Sequence, residues 1–75
     1  MIRYNIKALI EKKSEAEGRK ITAAEVARAI GIQKAAMTKL VNNYEYTTTT
    51  RTIDALCEYF DCEVQDVITR ERSKE

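Results

Sequence analysis

The sequence predicts an all-α protein, a compact bundle of five short helices in a single domain. It contains no proline and 2 glycines, so few residues interrupt helices. Apolar residues make up 44% of the chain, enough for a small core, and they recur at helical spacing. Because a chain of 75 residues buries a modest fraction of its surface, a large enclosed active site is not expected.

The first predicted helix runs from Arg3 to Ala16, since apolar residues form one stripe along it and charged residues occupy the other positions. The stripe consists of Ile2, Ile6, Leu9 and Ile10. Gly18 is placed to end this helix.

The stretch from Ala23 to Asn42 contains two short helical patterns separated by a glycine. Thr22 and Glu25 have the spacing of a capping box, in which the threonine hydroxyl accepts from the Glu25 amide and the glutamate reaches back to the Thr22 amide. Gly31 supplies the left-handed conformation that ends the second helix. The third helix follows from about Lys34 to Asn42. The stretch is therefore predicted to be a helix-turn-helix.

The third helix has one apolar face, formed by Met37, Leu40 and Val41, which we expect to be buried. The side chains left facing outward are hydrogen-bond donors and short groups with no acid among them: Gln33, Lys34, Ala35, Thr38 and Lys39. We call these five residues the outward strip. A helix-turn-helix that offers such a strip to DNA is the functional hypothesis.

The fourth helix, from about Thr50 to Phe60 with Thr49 or a neighbour as its cap, has the clearest apolar stripe. That stripe consists of Ile53, Leu56, Cys57 and Phe60. A short fifth helix is predicted from Val64 to about Arg70. Residues 1–70 are thus expected to form the domain, and residues 71–75 a charged, flexible tail.

Charge is distributed unevenly along the chain. Residues 1–51 contain ten basic and five acidic side chains, a net charge of +5, whereas residues 52–75 contain three basic and seven acidic ones, a net charge of −4. Such a division is typical of a basic face that binds a polyanion and an acidic end directed away from it. A chance asymmetry on a solvated surface is the alternative.

Catalysis and metal binding have little support. The chain has no histidine, no serine in a nucleophile motif and no glycine-rich phosphate loop. Asp61, Glu63 and Asp66 are interpreted as helix-start acids near a positive dipole end. Cys57 and Cys62 are interpreted as buried thiols in a reducing cytosol, with a redox switch as the alternative. No enzyme activity, cofactor or metal is expected.

No apolar run approaches the roughly 18 residues of a membrane span. The first residues, MIRYNIKALIEKK, mix charge into every turn and lack the features of a signal peptide. We therefore expect a cytoplasmic protein without membrane association.

One spaced pattern covers most of the chain. It reads Ile21-Thr22-x-x-Glu25-Val26-Ala27-x-x-Ile30-Gly31-Ile32, then Met37-x-x-Leu40-x-Asn42-Asn43, and then Ile53-x-x-Leu56-Cys57-x-x-Phe60-x-Cys62-x-x-x-Asp66-Val67-Ile68. This pattern resembles the Cro/CI-type helix-turn-helix regulators, also called the XRE or lambda-repressor-like family. The resemblance implies a lambda-repressor-like bundle and a transcription regulator, a repressor or autoregulator, that binds double-stranded DNA.

The resemblance also implies which residues meet DNA. In that family the third helix enters the major groove, so the outward strip would contact base edges. Phosphate contacts would come from the second helix and from the loop and helix start after the third: Arg28, Asn42, Asn43, Tyr44, Tyr46, Thr47, Thr48 and Arg51. The chain departs from the family pattern at Ala23, where relatives often have a glutamine, at Gln33 and at Val41.

One recognition helix reads too few base pairs for genomic specificity, so a homodimer on an inverted repeat is expected. Its surface is predicted to include Tyr59, Val64 and Ile68. No small-molecule effector is expected. The alternative function is an antitoxin-like or phage-type adaptor in which the same bundle docks a partner protein.

Overall fold

The computed structural model describes residues 1–42 and 47–72. Along these residues lie β1 (Ile2–Tyr4), α1 (Ile6–Glu17), α2 (Ala23–Ile30), α3 (Lys34–Asn42), α4 (Thr50–Phe60), α5 (Val64–Val67) and β2 (Ile68–Arg70). The five-helix bundle confirms the predicted fold class. The bounds of α2, α3 and α4 agree with those expected from the sequence.

The two ends of the described chain pair as an antiparallel ribbon, which the sequence did not predict. β1 pairs with β2 in the register Ile2↔Arg70, Arg3↔Thr69 and Tyr4↔Ile68. The pairing continues beyond both strands, because Asn5 N–H donates to the Val67 carbonyl at 2.8 Å and Glu71 N–H to the Met1 carbonyl at 2.7 Å.

This ribbon corrects two predicted helix ends. The first helix begins at Ile6 and not at Arg3, and the fifth ends at Val67 and not at Arg70. In both places three residues leave the helix because their backbone groups bond across the ribbon, which no local helical pattern can reveal.

Left-handed glycines end two of the helices, and threonine hydroxyls cap the starts of two. Gly18 and Gly31 have φ angles of 65° and 78°, so each supplies the left-handed residue that ends its helix. Thr22 Oγ1 accepts from Glu25 N–H at 3.1 Å, and Thr49 Oγ1 accepts from Thr52 N–H at 3.2 Å. Each hydroxyl thus satisfies one backbone donor at a helix start.

The predicted capping box at the start of α2 is only half formed. Thr22 caps as expected, but the Glu25 carboxylate accepts two bonds from the Arg19 guanidinium, at 3.1 and 2.7 Å. A bidentate, charge-assisted pair is stronger than a single bond to a backbone amide, so Arg19 takes the carboxylate that the box would use.

The core is small and apolar. Its buried residues come from α1, the turn before α2, and α2 to α5: Ile6, Ile21, Val26, Ala27, Met37, Leu40, Ile53, Leu56 and Val67. α2 packs against both α3 and α4, and α1 also contacts α3. Among the residues that the structure describes, none that is polar or charged is buried.

The corner between α4 and α5 is a Schellman motif. Asp61 has a φ of 53°, its N–H donates to the Glu58 carbonyl at 3.4 Å, and the Cys62 N–H donates to the Cys57 carbonyl at 3.0 Å. Asp61 therefore ends α4, which corrects its interpretation as a helix-start acid.

The other two acids do lie at the start of α5. The Glu63 N–H donates to Asp66 Oδ2 at 3.0 Å. Both carboxylates are therefore close to the positive end of that helix, as the sequence predicted.

Within residues 1–42 and 47–72, no helix has the length and apolar character needed to cross a membrane.

Leu56→Ala is expected to lower the free energy of unfolding by roughly 2–5 kcal/mol, because Leu56 is fully buried and its loss leaves a cavity in a core with few members. Urea unfolding followed by circular dichroism measures the change. Glu58→Ala, at an exposed position of the same helix, is the control and should have little effect. Equal stabilities for the two variants would contradict the packing of α4.

Candidate nucleic-acid interface

The orientation of α3 is set by two fully buried residues. Met37 and Leu40 each have 0% exposed surface, and Val41 packs partly buried against the same core. Side chains on the opposite side of the helix must then face solvent. All five members of the outward strip are exposed: Lys34, Ala35, Thr38 and Lys39 on α3, and Gln33 just before its first residue.

Hydrogen bonds within α3 limit what two polar side chains can offer. Thr38 Oγ1 donates to the Lys34 carbonyl at 3.0 Å, and Asn42 Nδ2 donates to the Thr38 carbonyl at 2.9 Å. The Thr38 hydroxyl hydrogen is thus engaged, which leaves its oxygen lone pairs and its methyl group for a ligand. Asn42 keeps its carbonyl oxygen and a second N–H.

A small cleft separates α3 from the start of α4. Its volume is about 310 Å³, and Gln33, Thr48 and Thr49 are among its lining residues. Thr48 is half-buried there and Thr47 is exposed. The first turn of α4 contains no acid, so the positive end of that helix dipole faces the cleft without a neutralising carboxylate.

Two arginines lie on the helices beside the strip. Arg28 is exposed in the last turn of α2, and Arg51 is exposed in the first turn of α4. Neither of them, nor Lys34, forms an ion pair with another described residue. The predicted contacts Asn43, Tyr44 and Tyr46 lie outside the described residues.

A chain of ion pairs joins α1 to α2 away from the strip. Lys13 Nζ lies 2.9 Å from Glu17 Oε2, and Glu17 Oε1 lies 3.2 Å from Arg19 Nε. Arg19 continues to Glu25 at 2.7 Å. Lys13 also lies over the Tyr59 ring, 5.0 Å from its centroid, which extends the chain to α4.

These contacts shift the acidity of the groups involved. The hydrogen bond from Arg19 lowers the pKa of Glu25, and the hydrogen bond from Lys13 lowers the pKa of Glu17. The bond to Glu25 in turn raises the pKa of Arg19. Both carboxylates therefore stay ionised to a lower pH than ordinary glutamates.

The sequence did not predict most of these ion pairs. The Lys13–Glu17 pair has the i,i+4 spacing that a helix brings together, so the sequence contained a signal for it. The Arg19–Glu25 pair crosses the turn between two helices, and its geometry depends on how the chain folds back after Gly18.

The predicted dimer residues lie on three consecutive elements. Tyr59, in α4, is half-buried and meets Phe60 edge to face, with ring centroids 5.0 Å apart. Val64, at the start of α5, is 51% exposed. Ile68 lies in β2, not in a helix, and packs partly against the core.

Arg19→Met is expected to flatten the loss of stability in acid. The folded-state pKa of Glu25 lies below its ordinary value of 4.5, so its pairing stabilises the fold above that pH and is lost as the pH falls through the lowered pKa. Urea unfolding between about pH 6 and pH 3 measures the slope. Lys20→Met is the control, because it removes a neighbouring positive charge that belongs to no ion pair among the described residues. If the dependence of stability on pH were the same in Arg19→Met as in the unaltered protein, the Arg19–Glu25 pairing would be contradicted.

Comparison with known protein families gives a match over most of the chain. The family model described as the Cro/C1-type HTH DNA-binding domain matches residues 13–73. No curated protein is similar enough to this sequence to add to that match. The match begins within α1 and extends past β2, so it includes α2 and α3, which form the helix-turn-helix, and also α4 and α5. With a capped α2, a turn at Gly31 and an exposed strip on α3 inside the matched region, the chain belongs to the Cro/C1-type helix-turn-helix family of DNA-binding domains.

Proposed function

We propose that this protein is a sequence-specific regulator of transcription that places α3 in the major groove of double-stranded DNA. Membership of the family supports DNA binding in general. The observation that carries the finer proposal is the outward strip, whose donors and short side chains are all exposed at α3 while Met37 and Leu40 are buried. An α-helix with such a face fits the width of the major groove.

Each member of the strip has a chemistry suited to a base edge. Lys34 and Lys39 donate to guanine O6 and N7, and Gln33 pairs with adenine. Ala35 meets a thymine methyl group. Because its hydroxyl hydrogen is bonded to the Lys34 carbonyl, Thr38 contributes its methyl group or accepts from a cytosine amino group.

Phosphate contacts flank the strip in this proposal. Arg28 approaches from α2, and Arg51, Thr47 and Thr48 approach from the start of α4, where the helix dipole favours an anion. The remaining contacts are assigned to the segment after α3, namely Asn42, Asn43, Tyr44 and Tyr46. These contacts set the register of the protein on DNA and do not select the sequence.

We further propose a cytoplasmic homodimer that acts as a repressor or autoregulator by occupying an inverted repeat. Two copies of α3 about one helical turn apart read enough base pairs for specificity. Val64 supports the assignment of the dimer surface, because about half of this apolar side chain is exposed. The proposed action requires no catalysis and no small-molecule effector.

Lys34→Ala is expected to weaken binding to a site selected from random DNA by roughly 1–3 kcal/mol, with a smaller effect on unrelated DNA, because the lysine reads a base. Fluorescence anisotropy with both DNAs gives the two affinities. Lys12→Ala, an exposed lysine on α1 outside the strip, is the matched control. An equal loss on both DNAs would reassign Lys34 to a phosphate.

The salt dependence of the same binding separates DNA from protein partners. Counterion release predicts a steep fall in affinity with salt, and Arg51→Ala is expected to reduce that slope by about 1. The adaptor alternative, in which the bundle docks a protein through apolar contacts, predicts binding of a protein partner that barely changes with salt. Absence of any selected DNA sequence would overturn the proposed function.

Val64→Glu is expected to shift the protein towards monomers and to weaken binding to the inverted repeat more than to a single half-site. An acid in the first turn of a helix is tolerated, so the fold should be retained. Analytical ultracentrifugation and binding to both DNAs measure the change. Gln65→Glu adds the same charge at the next exposed position and is the control; matching behaviour of the two variants would contradict a dimer surface at Val64.

A further inference from the structure

The two cysteines occupy paired positions of the corner between α4 and α5. In a Schellman motif the third residue from the helix end and the second residue beyond it are joined by a backbone hydrogen bond, and their side chains usually touch. Cys57 and Cys62 hold these positions, since the Cys62 N–H donates to the Cys57 carbonyl at 3.0 Å across the left-handed Asp61. The motif that ends α4 therefore places the two thiols side by side.

Both cysteines are free thiols, and each lies close enough to the other to influence its acidity. A disulfide needs Cα atoms about 4.4–6.8 Å apart and side chains directed towards each other. The direct backbone hydrogen bond between the two residues keeps their backbones close, as a disulfide requires.

Cys62 is also open to a reagent. It lines a groove of about 720 Å³ between α1 and the α4–α5 corner, together with Leu9, Lys12 and Phe60, whereas Cys57 does not line that groove. Both cysteines are half-buried. A small oxidant in the groove thus contacts Cys62.

We propose that Cys57 and Cys62 form a dithiol modification site, which a low-molecular-weight disulfide converts into an intramolecular disulfide within the folded domain. The Cys62 thiolate attacks one sulfur of the reagent, forms a mixed disulfide and releases the first reagent thiol. Cys57 then attacks the Cys62 sulfur, forms the protein disulfide and releases the second reagent thiol. Two protein thiols are oxidised, and the reagent disulfide is reduced to two thiolates, which take up the two protons that the protein thiols lose.

Burial and nearby Asp54 raise the pKa of Cys57, and burial and Cys57 raise the pKa of Cys62, so a smaller fraction of each thiol is ionised at neutral pH than in a free cysteine. Once formed, the bond fastens the end of α4 to the residue before the Glu63 cap of α5.

The test treats the folded 75-residue protein with excess oxidised glutathione and follows it by intact mass. We expect a monomer lighter by two hydrogen atoms, and a Tm raised by roughly 5–15 °C that returns to its original value on reduction. In Cys57→Ser, which lacks the second thiol, the expected product is a stable mixed disulfide heavier by one glutathione moiety. Circular dichroism confirms that this variant is folded.

As a control, the protein is unfolded in urea and treated with oxidised glutathione in the same way. This experiment shows how the two thiols react without the Schellman motif. If the unfolded chain forms the intramolecular disulfide while the folded protein stays reduced, keeps the mixed disulfide or forms only linked dimers, the proposal is overturned. The intact mass and the Tm are measured without DNA, so their outcome does not depend on the proposed function.

Discussion

The packing of Met37 and Leu40 is the constraint on which the proposed interface depends. The residues are three positions apart on α3, and both are fully enclosed, so the helix has no freedom to rotate about its axis without exposing one of them. The direction of every other side chain on α3 follows from this anchoring. α2 and α4 contribute to the core that encloses these two residues, and α1 adds Ile6 to the same core and contacts α3.

Interactions close in sequence made α2, α3 and α4 predictable, and distant interactions explain what the sequence did not reveal. Thr22, Gly31 and Thr49 act within one turn of the helices that they cap, so their residue types and spacing were sufficient. The β1–β2 ribbon instead joins the two ends of the chain through strands of 3 residues. Strands this short show no alternation that could be separated from a helical stripe.

The same distinction applies to the candidate site. Exposure of the outward strip followed from the helical period of α3, once its apolar face was identified. The hydrogen bond from the Thr38 hydroxyl to the Lys34 carbonyl could not be predicted in this way, because a threonine in a helix can turn its hydroxyl to the backbone or to solvent. Likewise, the half-formed capping box depended on Arg19, which the folded turn after Gly18 brings to Glu25.

The ion-pair chain has an electrostatic role beyond holding α1 and α2 together. Glu25 lies in the first turn of α2, on a helix whose last turn carries the exposed Arg28. An uncompensated carboxylate there would repel a polyanion that approaches Arg28 and α3. Arg19 binds both Glu25 oxygens, so its positive charge offsets that of the acid at the start of α2. α2 thus keeps an acid at its positive end that is paired, while Arg28 forms no ion pair with another described residue.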